Sequence, residues 1–188
     1  MRYAAFRILE TPRLQLRKLT LDDVPTYFSR IASSETVTQF MLWQPHKDLS
    51  ESQASIQKAI RRYAEGTGYR WGITLKTDGS LIGIIDLLHF NEAESSCSFA
   101  YMLGEDFWGR GLGSEAVRAV FDFAFSDMQM EAIVADHFAD NPASGAVMRK
   151  NGMHFVRYLP KRYVKNGISH DALEYAITKE DWLKKSRY

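Results

Sequence analysis

The sequence predicts an α+β fold, because helix-like and strand-like patterns occur in separate blocks along a chain of 188 residues. A strong local signal is Asp78-Gly79, a dipeptide typical of hairpin turns, which lies between apolar runs at 71–75 and 81–90. A further apolar run at 96–103 is the next predicted antiparallel strand. Two helical segments precede these strands. The sheet is therefore expected to be largely antiparallel.

The N-terminal part contains a short predicted strand at 14–18 and two predicted helices. The patterns Thr20-x-x-Asp23 and Ser50-x-x-Gln53 resemble capping boxes, so each predicts a helix start, and Gly66 ends the second helix. The residues that share the apolar faces are Leu21, Val24, Phe28 and Ile31 in the first helix, and Ile56, Ala59, Ile60, Tyr63 and Ala64 in the second.

A strongly periodic helix follows the predicted sheet strands. Its apolar stripe consists of Val117, Val120, Phe121, Ala124 and Phe125. Glu115, Arg118 and Asp122 lie on the other side at spacings that allow pairing, so we interpret them as a solvated, salt-bridged face. Then come a strand at 132–138, a helix at 142–150, and two strands separated by Lys165-Asn166-Gly167.

The turn before the periodic helix contains glycine at three alternate positions, Gly109, Gly111 and Gly113. Glycines permit positive φ angles and remove the Cβ atoms that would keep a ligand from the backbone. The helix adds unpaired N–H groups and the positive end of its dipole. The turn therefore predicts a phosphate or pyrophosphate site.

Two common phosphate-binding motifs fit this turn poorly. The loop of nucleoside triphosphatases needs Lys-Ser or Lys-Thr after its last glycine, and here Ser114-Glu115 follows Gly113. The dinucleotide fingerprint matches only in degenerate form, and five residues, 104–108, separate the preceding strand from the first glycine. A dinucleotide-dependent redox enzyme stays an alternative that the antiparallel strand order disfavours.

The segment at 108–116 resembles the acetyl-CoA pyrophosphate loop of the GCN5-related N-acetyltransferases (GNAT), and more narrowly the RimJ/RimL-like ribosomal-protein alanine acetyltransferases. A second segment at 141–155 resembles the Asn-x-x-Ser helix and the Lys-x-Gly-Phe that follow later in that family. The resemblance covers about residues 11–180 and implies one domain over 1–188. It implies a mixed, mostly antiparallel sheet of six to seven strands flanked by about four helices.

The resemblance also implies an enzyme that transfers acetyl from acetyl-CoA to a primary amine by direct attack in a ternary complex. Asn141 would help hold the CoA arm, although it is also a good helix N-cap before Pro142. Backbone N–H groups near Tyr101, Met102 and Leu103 would polarise the thioester carbonyl. The implied cofactor loop comprises Trp108, Gly109, Arg110, Gly111, Leu112, Gly113 and Ser114.

The chain departs from the wider family at two positions. Many members place a thiol-protonating tyrosine four residues after the position of Ser144, and this chain has Met148 there. By analogy, Ser144 faces the sulfur and substitutes as a hydrogen-bond donor, with an ordinary first-turn helix serine as the alternative. Ser98 and Ala100 stand where the branch often has glutamate and glycine.

The remaining candidates for a general base are Asp86, His89, Glu94 and His137. Asp86 ranks first because it interrupts the apolar run 81–88, where a carboxylate must be hydrogen-bonded, paired or in a wet cleft. A solvated sheet face is the alternative for Asp86, and an ordinary hydrogen-bonded histidine is the alternative for His137. Water is a further alternative, because a peptide α-amino group has a pKa of ~7.7–8.0.

Composition excludes several other classes of function. A net charge of +1 and the absence of a dense Lys/Arg block disfavour partners such as nucleic acid and anionic membranes. Apolar runs are far shorter than the ~20 residues that span a bilayer, and no N-terminal signal region is apparent, so we expect a cytoplasmic protein. No residue spacing suggests a metal site. The single cysteine, Cys97, is expected to be a buried small side chain.

Of all the features of the proposed reaction, the identity of the acceptor amine is the one that the sequence specifies least. The branch that the chain resembles acetylates protein N-termini, so a peptide N-terminal amine is the leading expectation. A small-molecule or antibiotic amine and a catalytically weak CoA-binding module stay as alternatives. The sequence leaves open whether the protein is a monomer or a homodimer. The residues expected either to wall an acceptor cleft or simply to pack in the core are Phe40, Met41, Trp43, His46 and Tyr163.

Overall fold

The computed structural model describes residues 4–185, and within them the apolar runs form eight strands. They are β1 (Leu9–Glu10), β2 (Leu14–Arg17), β3 (Tyr69–Leu75), β4 (Leu81–Asn91), β5 (Ser96–Leu103), β6 (Ala132–Phe138), β7 (His154–Lys165) and β8 (Ile168–Thr178). One sheet holds them in the order β1-β2-β3-β4-β5-β6-β8-β7. Only β5 and β6 are parallel neighbours. The mixed, mostly antiparallel sheet is confirmed, but the expected six to seven strands become eight because the two-residue β1 is too short to show periodicity.

Six α-helices surround the sheet in the described part of the chain, where about four were expected. They are α1 (Val24–Tyr27), α2 (Glu35–Thr38), α3 (Leu49–Ala64), α4 (Leu112–Asp122), α5 (Pro142–Lys150) and α6 (Lys179–Lys185). The difference arises because α1 and α2 are single turns of four residues and α6 lies at the C-terminal end. Wider π-helical turns, Phe28–Ala32 and Phe123–Asp127, extend α1 and α4.

Two hydrophobic clusters cover opposite faces of the sheet. The larger contains the apolar stripe of α4, and the smaller contains residues of α1 and α3. Strand β4 contributes to both, because Ile85 lies in the larger cluster and Ile84 in the smaller. Successive side chains of a strand point to opposite faces, so Asp86 lies on the α1 and α3 side.

The sheet opens between β5 and β6. These strands pair only at Ser96 with Ala132 and at Cys97 with Ile133. Beyond these two pairs β5 continues to Leu103 and β6 to Phe138 without pairing to each other. Backbone groups along this edge of β5 are therefore available to a ligand, since no neighbouring strand takes them.

One predicted helix start and one residue of a predicted apolar face need correction. Asp48, not Ser50, caps α3, because its side chain accepts hydrogen bonds from the backbone N–H groups of Ser50 and Glu51. Asp23 does accept from the backbone N–H of Thr20 at 2.8 Å, as the capping pattern predicts. Leu21, however, is exposed and not part of the apolar face.

The polar side of α4 also differs from its interpretation. Glu115 pairs with Arg13 at 2.6 Å and accepts a hydrogen bond from Thr11. Asp122 accepts from the indole N–H of Trp182. Long-range partners therefore replace the local pairing that the spacing had suggested. Within residues 4–185 no helix is long and apolar enough to cross a membrane.

Candidate active site

The glycine turn has the backbone geometry of an anion-binding loop. Gly109 has a φ angle of +70° and Gly111 a φ angle of +76°, a region that side chains other than glycine rarely adopt. Gly111 is the N-cap of α4, and no side chain caps that end. The first-turn N–H groups and the positive end of the helix dipole are thus left for a ligand.

Gly113 serves a different purpose from the other two glycines. It lies inside α4 and its φ angle is not positive, so the expectation of conformational freedom at all three positions is wrong here. A Cβ atom at Gly113 would lie 3.1 Å from Cε2 of Tyr101. Glycine at this position lets the aromatic ring pack directly against the helix.

The loop borders a cavity of about 440 Å³ that reaches the end of β5 and the first turns of α5. Ten of the eleven residues expected to contact the cofactor line it: Tyr101, Met102, Leu103, Trp108, Gly109, Gly111, Leu112, Gly113, Ser114 and Asn141. Arg110 does not line the cavity, and its guanidinium lies 5.8 Å from the centre of the Phe107 ring. The indole N–H of Trp108 donates to the carbonyl of Leu103 at 2.8 Å, which fixes the loop to the end of β5.

Two cations at the loop were not assigned to it from the sequence. A Cβ at Gly111 would lie 3.6 Å from Nη2 of Arg13 and 3.8 Å from Nζ of Lys150. Arg13 is oriented by Glu115 and by the carbonyl of Arg110, to which it donates at 3.0 Å. Lys150 belongs to a segment that carried the family resemblance, but the proximity of both cations to the loop arises only on folding. These charges favour a phosphorylated ligand.

Glu115 remains ionised in this arrangement. Burial raises its pKa, but hydrogen bonds from Thr11 and Arg13 outweigh burial and hold the pKa below its ordinary value. The carboxylate therefore keeps Arg13 in place across the neutral range. Its role in the loop is structural, as the sequence had indicated.

Ser144 lies in the same cavity, within a small polar cluster. The backbone N–H of Ser144 donates to Oδ1 of Asn141 at 3.2 Å, and Nδ2 of Asn141 donates to Oγ of Ser144 at 3.2 Å. The side chain of Tyr101 lines the same cavity and lies beside Ser144. Burial raises the pKa of Tyr101, and the neighbouring Ser144 hydroxyl only partly offsets this. Tyr101 thus stays protonated at neutral pH.

Met148 lies outside this polar cluster. It is 3% exposed and belongs to the larger hydrophobic cluster. The neighbouring residues Ala146 and Val147 line the cavity instead. This helix therefore presents Ser144, and not the side chain at 148, to the cavity.

Asp86 lies in a second cavity of about 230 Å³ between α3 and the sheet. Its carboxylate accepts a hydrogen bond from Nε of Arg70 at 2.7 Å, across a β3–β4 pair. Met102 lines both cavities and so marks the place where they adjoin. Ser144 and Asp86 are therefore in neighbouring cavities and not in one cluster.

The other candidate bases line neither cavity. His89 and Glu94 are exposed near the β4–β5 turn. His137 is 5% exposed, and its Nδ1 is 2.8 Å from the carbonyl of Phe138. Its Nε2 is buried without a hydrogen-bond partner, and burial lowers the pKa of this histidine.

The residues that were expected to line an acceptor cleft are divided between the two cavities. Phe40 and Met41 line the larger, whereas Trp43 and His46 line the smaller. Tyr163 lines neither, because it stacks on Phe138 and its hydroxyl is hydrogen-bonded to Asp136. Residues 4–185 contain no group of three or more His, Cys, Asp or Glu side chains placed to hold a metal ion.

Known proteins match both the sequence and the fold. Residues 13–154 match the family model described as "Acetyltransferase (GNAT) domain". "Uncharacterized N-acetyltransferase YoaA" of Bacillus subtilis (strain 168) is 30% identical over 174 residues, which cover 93% of this chain and 98% of YoaA.

Two solved structures resemble the fold at low sequence identity. "RimL- Ribosomal L7/L12 alpha-N-protein acetyltransferase in complex with Coenzyme A" has a TM-score of 0.80 and 22% identity, over 92% of this chain and 98% of that one. A spermidine N-acetyltransferase from Vibrio cholerae, in complex with CoA and spermine, has a TM-score of 0.79 and 18% identity, over 92% and 99% of the two chains.

Proposed function

Because this chain belongs to the GCN5-related N-acetyltransferase (GNAT) family and uses acetyl-CoA as its acetyl donor, we propose that it acetylates the N-terminal amine of a peptide or protein by direct transfer in a ternary complex. One observation carries the proposal: two adjoining cavities meet at Met102. The larger has the anion-binding loop for the cofactor, and the smaller offers the polar groups that an amine needs. Separate cavities allow donor and acceptor to be bound together.

Acetyl-CoA supplies the thioester, whose carbonyl carbon the amine attacks while the carbon–sulfur bond breaks. In our proposal the unpaired edge of β5 at 101–103 directs backbone N–H groups at the carbonyl oxygen, where negative charge develops. The loop at 108–114 holds the pyrophosphate. Positioning and carbonyl polarisation supply most of the rate acceleration in this scheme.

The hydrogen bonds that the Ser144 hydroxyl can make support its proposed place beside the leaving sulfur. A serine hydroxyl has two lone pairs and one hydrogen. Nδ2 of Asn141 donates to one lone pair, and the side chain of Tyr101 lies beside the same hydroxyl. In our proposal the hydrogen of Ser144 rotates toward the sulfur when acetyl-CoA is bound, and Tyr101 and Asn141 act as positioning residues.

We assign the acceptor side of the reaction to Asp86. The amine must lose a proton before or during attack, and the carboxylate beside Arg70 can accept it directly or through water. A peptide α-amino group needs only modest help, because its pKa is ~7.7–8.0. Asp86 is therefore expected to assist turnover and not to be indispensable.

A small-molecule amine is the second candidate acceptor. The smaller cavity, at about 230 Å³, lies below the ~300–1,000 Å³ of pockets that enclose drug-sized ligands. A cavity of this size fits one or two residues of a peptide end, or one small amine. The names of similar proteins include both kinds of acceptor, a ribosomal protein and spermidine.

The test is a mass-spectrometric screen of acetyl acceptors with purified protein and acetyl-CoA. The panel contains unmodified N-terminal peptides, the same peptides with a blocked α-amine, and free small amines. Acetylation of the free N-terminus with none on the blocked peptide supports the proposal. Acetylation confined to small amines would select the second candidate.

A further inference from the structure

The smaller cavity carries an excess of positive charge. Its charged lining residues are Lys58, Arg62, Arg70 and Asp86, and the single carboxylate is already paired with Arg70. Lys58 and Arg62 stand one turn apart on α3, and both are exposed at the cavity. Among residues 4–185 neither makes an ion pair within 4.0 Å. Two cations are therefore available to a ligand.

His46 does not reverse this balance. It lines the same cavity, and burial lowers its pKa from the ordinary value of 6.5, although Glu51 and Asp48 partly oppose this. It is therefore neutral at physiological pH. A polycationic acceptor in this cavity would meet Lys58 and Arg62 with no free carboxylate to compensate, and like charges side by side suppress binding.

Given the proposed function, we propose that the acceptor amine is accompanied by a carboxylate, which Lys58 and Arg62 bind at the mouth of the smaller cavity. The amine then points inward, toward Asp86 and the junction at Met102. In a peptide the carboxylate is an acidic side chain next to the N-terminal residue. In a single amino acid it is the α-carboxylate, which has the same chemistry.

The experiment compares initial rates at saturating acetyl-CoA for three matched peptides, Ser-Asp-Ala-Phe-amide, Ser-Asn-Ala-Phe-amide and Ser-Lys-Ala-Phe-amide. We expect kcat/KM to fall by about fivefold from the aspartate to the asparagine peptide, the upper range for one exposed ion pair, and further for the lysine peptide. The advantage of aspartate should shrink at high salt. The rates with free serine and with serinamide are compared separately, because only free serine carries an α-carboxylate.

Adjacent arginines on α3 provide matched variants. Arg62→Glu and Arg61→Glu change the net charge equally, but Arg61 does not line the cavity and makes no ion pair in the described part of the chain. Arg62→Glu, alone or with Lys58→Glu, should abolish or invert the preference for aspartate. Arg61→Glu should retain it. An unchanged dissociation constant for CoA, from calorimetry, checks that each variant is folded.

The outcomes separate this inference from the function on which it rests. If the three peptides, and also serine and serinamide, react at equal rates, the inference is wrong while the proposed transferase activity stands. A preference for serine over serinamide with equal peptide rates supports the carboxylate and assigns it to a single amino acid. If no peptide or amino acid is acetylated although CoA binds, the proposed function itself fails.

Discussion

The side chain of Tyr101, on β5, lies beside Ser144 at the start of α5. The same tyrosine ring packs against Gly113 of the anion-binding loop. One side chain therefore links the pyrophosphate end of the proposed cofactor site to Ser144, which we propose lies beside the sulfur.

Tyr101→Phe should lower kcat by roughly threefold to tenfold, because it removes the neutral hydroxyl beside Ser144, and one neutral hydrogen bond is worth ~0.5–1.5 kcal/mol. The dissociation constant for CoA should change by less than about twofold, since the ring that packs on Gly113 is kept. The measurements are kcat, KM and CoA affinity, with Ser144→Ala for comparison.

The pH profile reports whether Tyr101 stays protonated, and the comparison of variants separates positioning from acid catalysis. Because burial raises its pKa, the wild-type rate should show no loss from tyrosine ionisation below pH 10, the ordinary value. If Tyr101→Phe loses more activity than Ser144→Ala, Tyr101 carries more of the chemistry than a positioning residue.

Gly111→Val should weaken CoA binding by about tenfold or more, a loss of at least ~1.4 kcal/mol. Valine at a φ angle of +76° is strained, and its side chain would extend toward Arg13 and Lys150. Calorimetric titration with CoA measures the effect.

Gly79→Val is the matched control. Gly79 has a φ angle of +73° with nothing within 4 Å of an added Cβ, but it lies in the β3–β4 turn, away from the loop. Both variants should lose similar stability from backbone strain, ~1–3 kcal/mol, and only Gly111→Val should lose CoA affinity. Equal CoA affinities in the two folded variants would remove the loop from the cofactor site.

Asp86→Asn should lower turnover moderately and should matter most at low pH. Below its pKa of ~7.7–8.0 an acceptor amine is increasingly protonated, so help in removing the proton becomes more valuable there. The measurement is kcat/KM between pH 6 and pH 9 with the best peptide acceptor. Thermal melting must accompany it, because Arg70 loses its partner.

Arg70→Gln separates the structural role of the Arg70–Asp86 ion pair from the proposed role of Asp86 as a base. It breaks the same ion pair but leaves the carboxylate of Asp86 in the cavity. A general base predicts a larger loss at low pH in Asp86→Asn than in Arg70→Gln. Wild-type turnover in Asp86→Asn across the whole range would eliminate Asp86 as the base and leave water.

His137 should make the protein less stable in acid. Burial holds its folded-state pKa below 6.5, so the unfolded chain binds a proton more readily. Its contribution to stability is therefore complete above pH 6.5 and is lost as the pH falls through that value toward the folded-state pKa. The slope cannot exceed ~1.4 kcal/mol per pH unit for one proton.

Urea unfolding at several pH values measures this slope. His137→Phe keeps an aromatic ring to stack on Tyr175, which is 5.6 Å away between ring centroids, and removes the titrating group. The His137→Phe variant should flatten the plot of unfolding free energy against pH between pH 5 and 7. His154→Gln, at an exposed position, should not, and equal curves for both variants would contradict the prediction.

Local signals in the sequence were sufficient for much of the fold and for the loop. Asp78-Gly79 did predict the β3–β4 connection, and the turn at Gly109 and Gly111 did adopt left-handed backbone. Asn141 is confirmed as the N-cap of α5, where its side chain accepts from the backbone N–H of Ser144. These features depend on residues within a few positions of one another.

Contacts between residues that are far apart in the sequence were missed or misassigned. Arg13 reaches the loop from about a hundred positions away, as its pairing with Glu115 shows. The partner of Asp86 is Arg70 on the neighbouring strand, so no pattern within β4 could reveal it. The packing of Tyr101 on Gly113 likewise needs the sheet and α4 to be assembled.

Cys97 has a practical consequence for kinetics. It is the only cysteine in the sequence, and it lies at one of the two pairs that join β5 to β6, where it is 2% exposed. Burial raises its thiol pKa to about 12, so it is almost wholly in the unreactive thiol form at assay pH. A chromogenic disulfide reagent added during turnover would therefore titrate released coenzyme alone. Any slow reaction of the protein itself would instead report separation of β5 from β6.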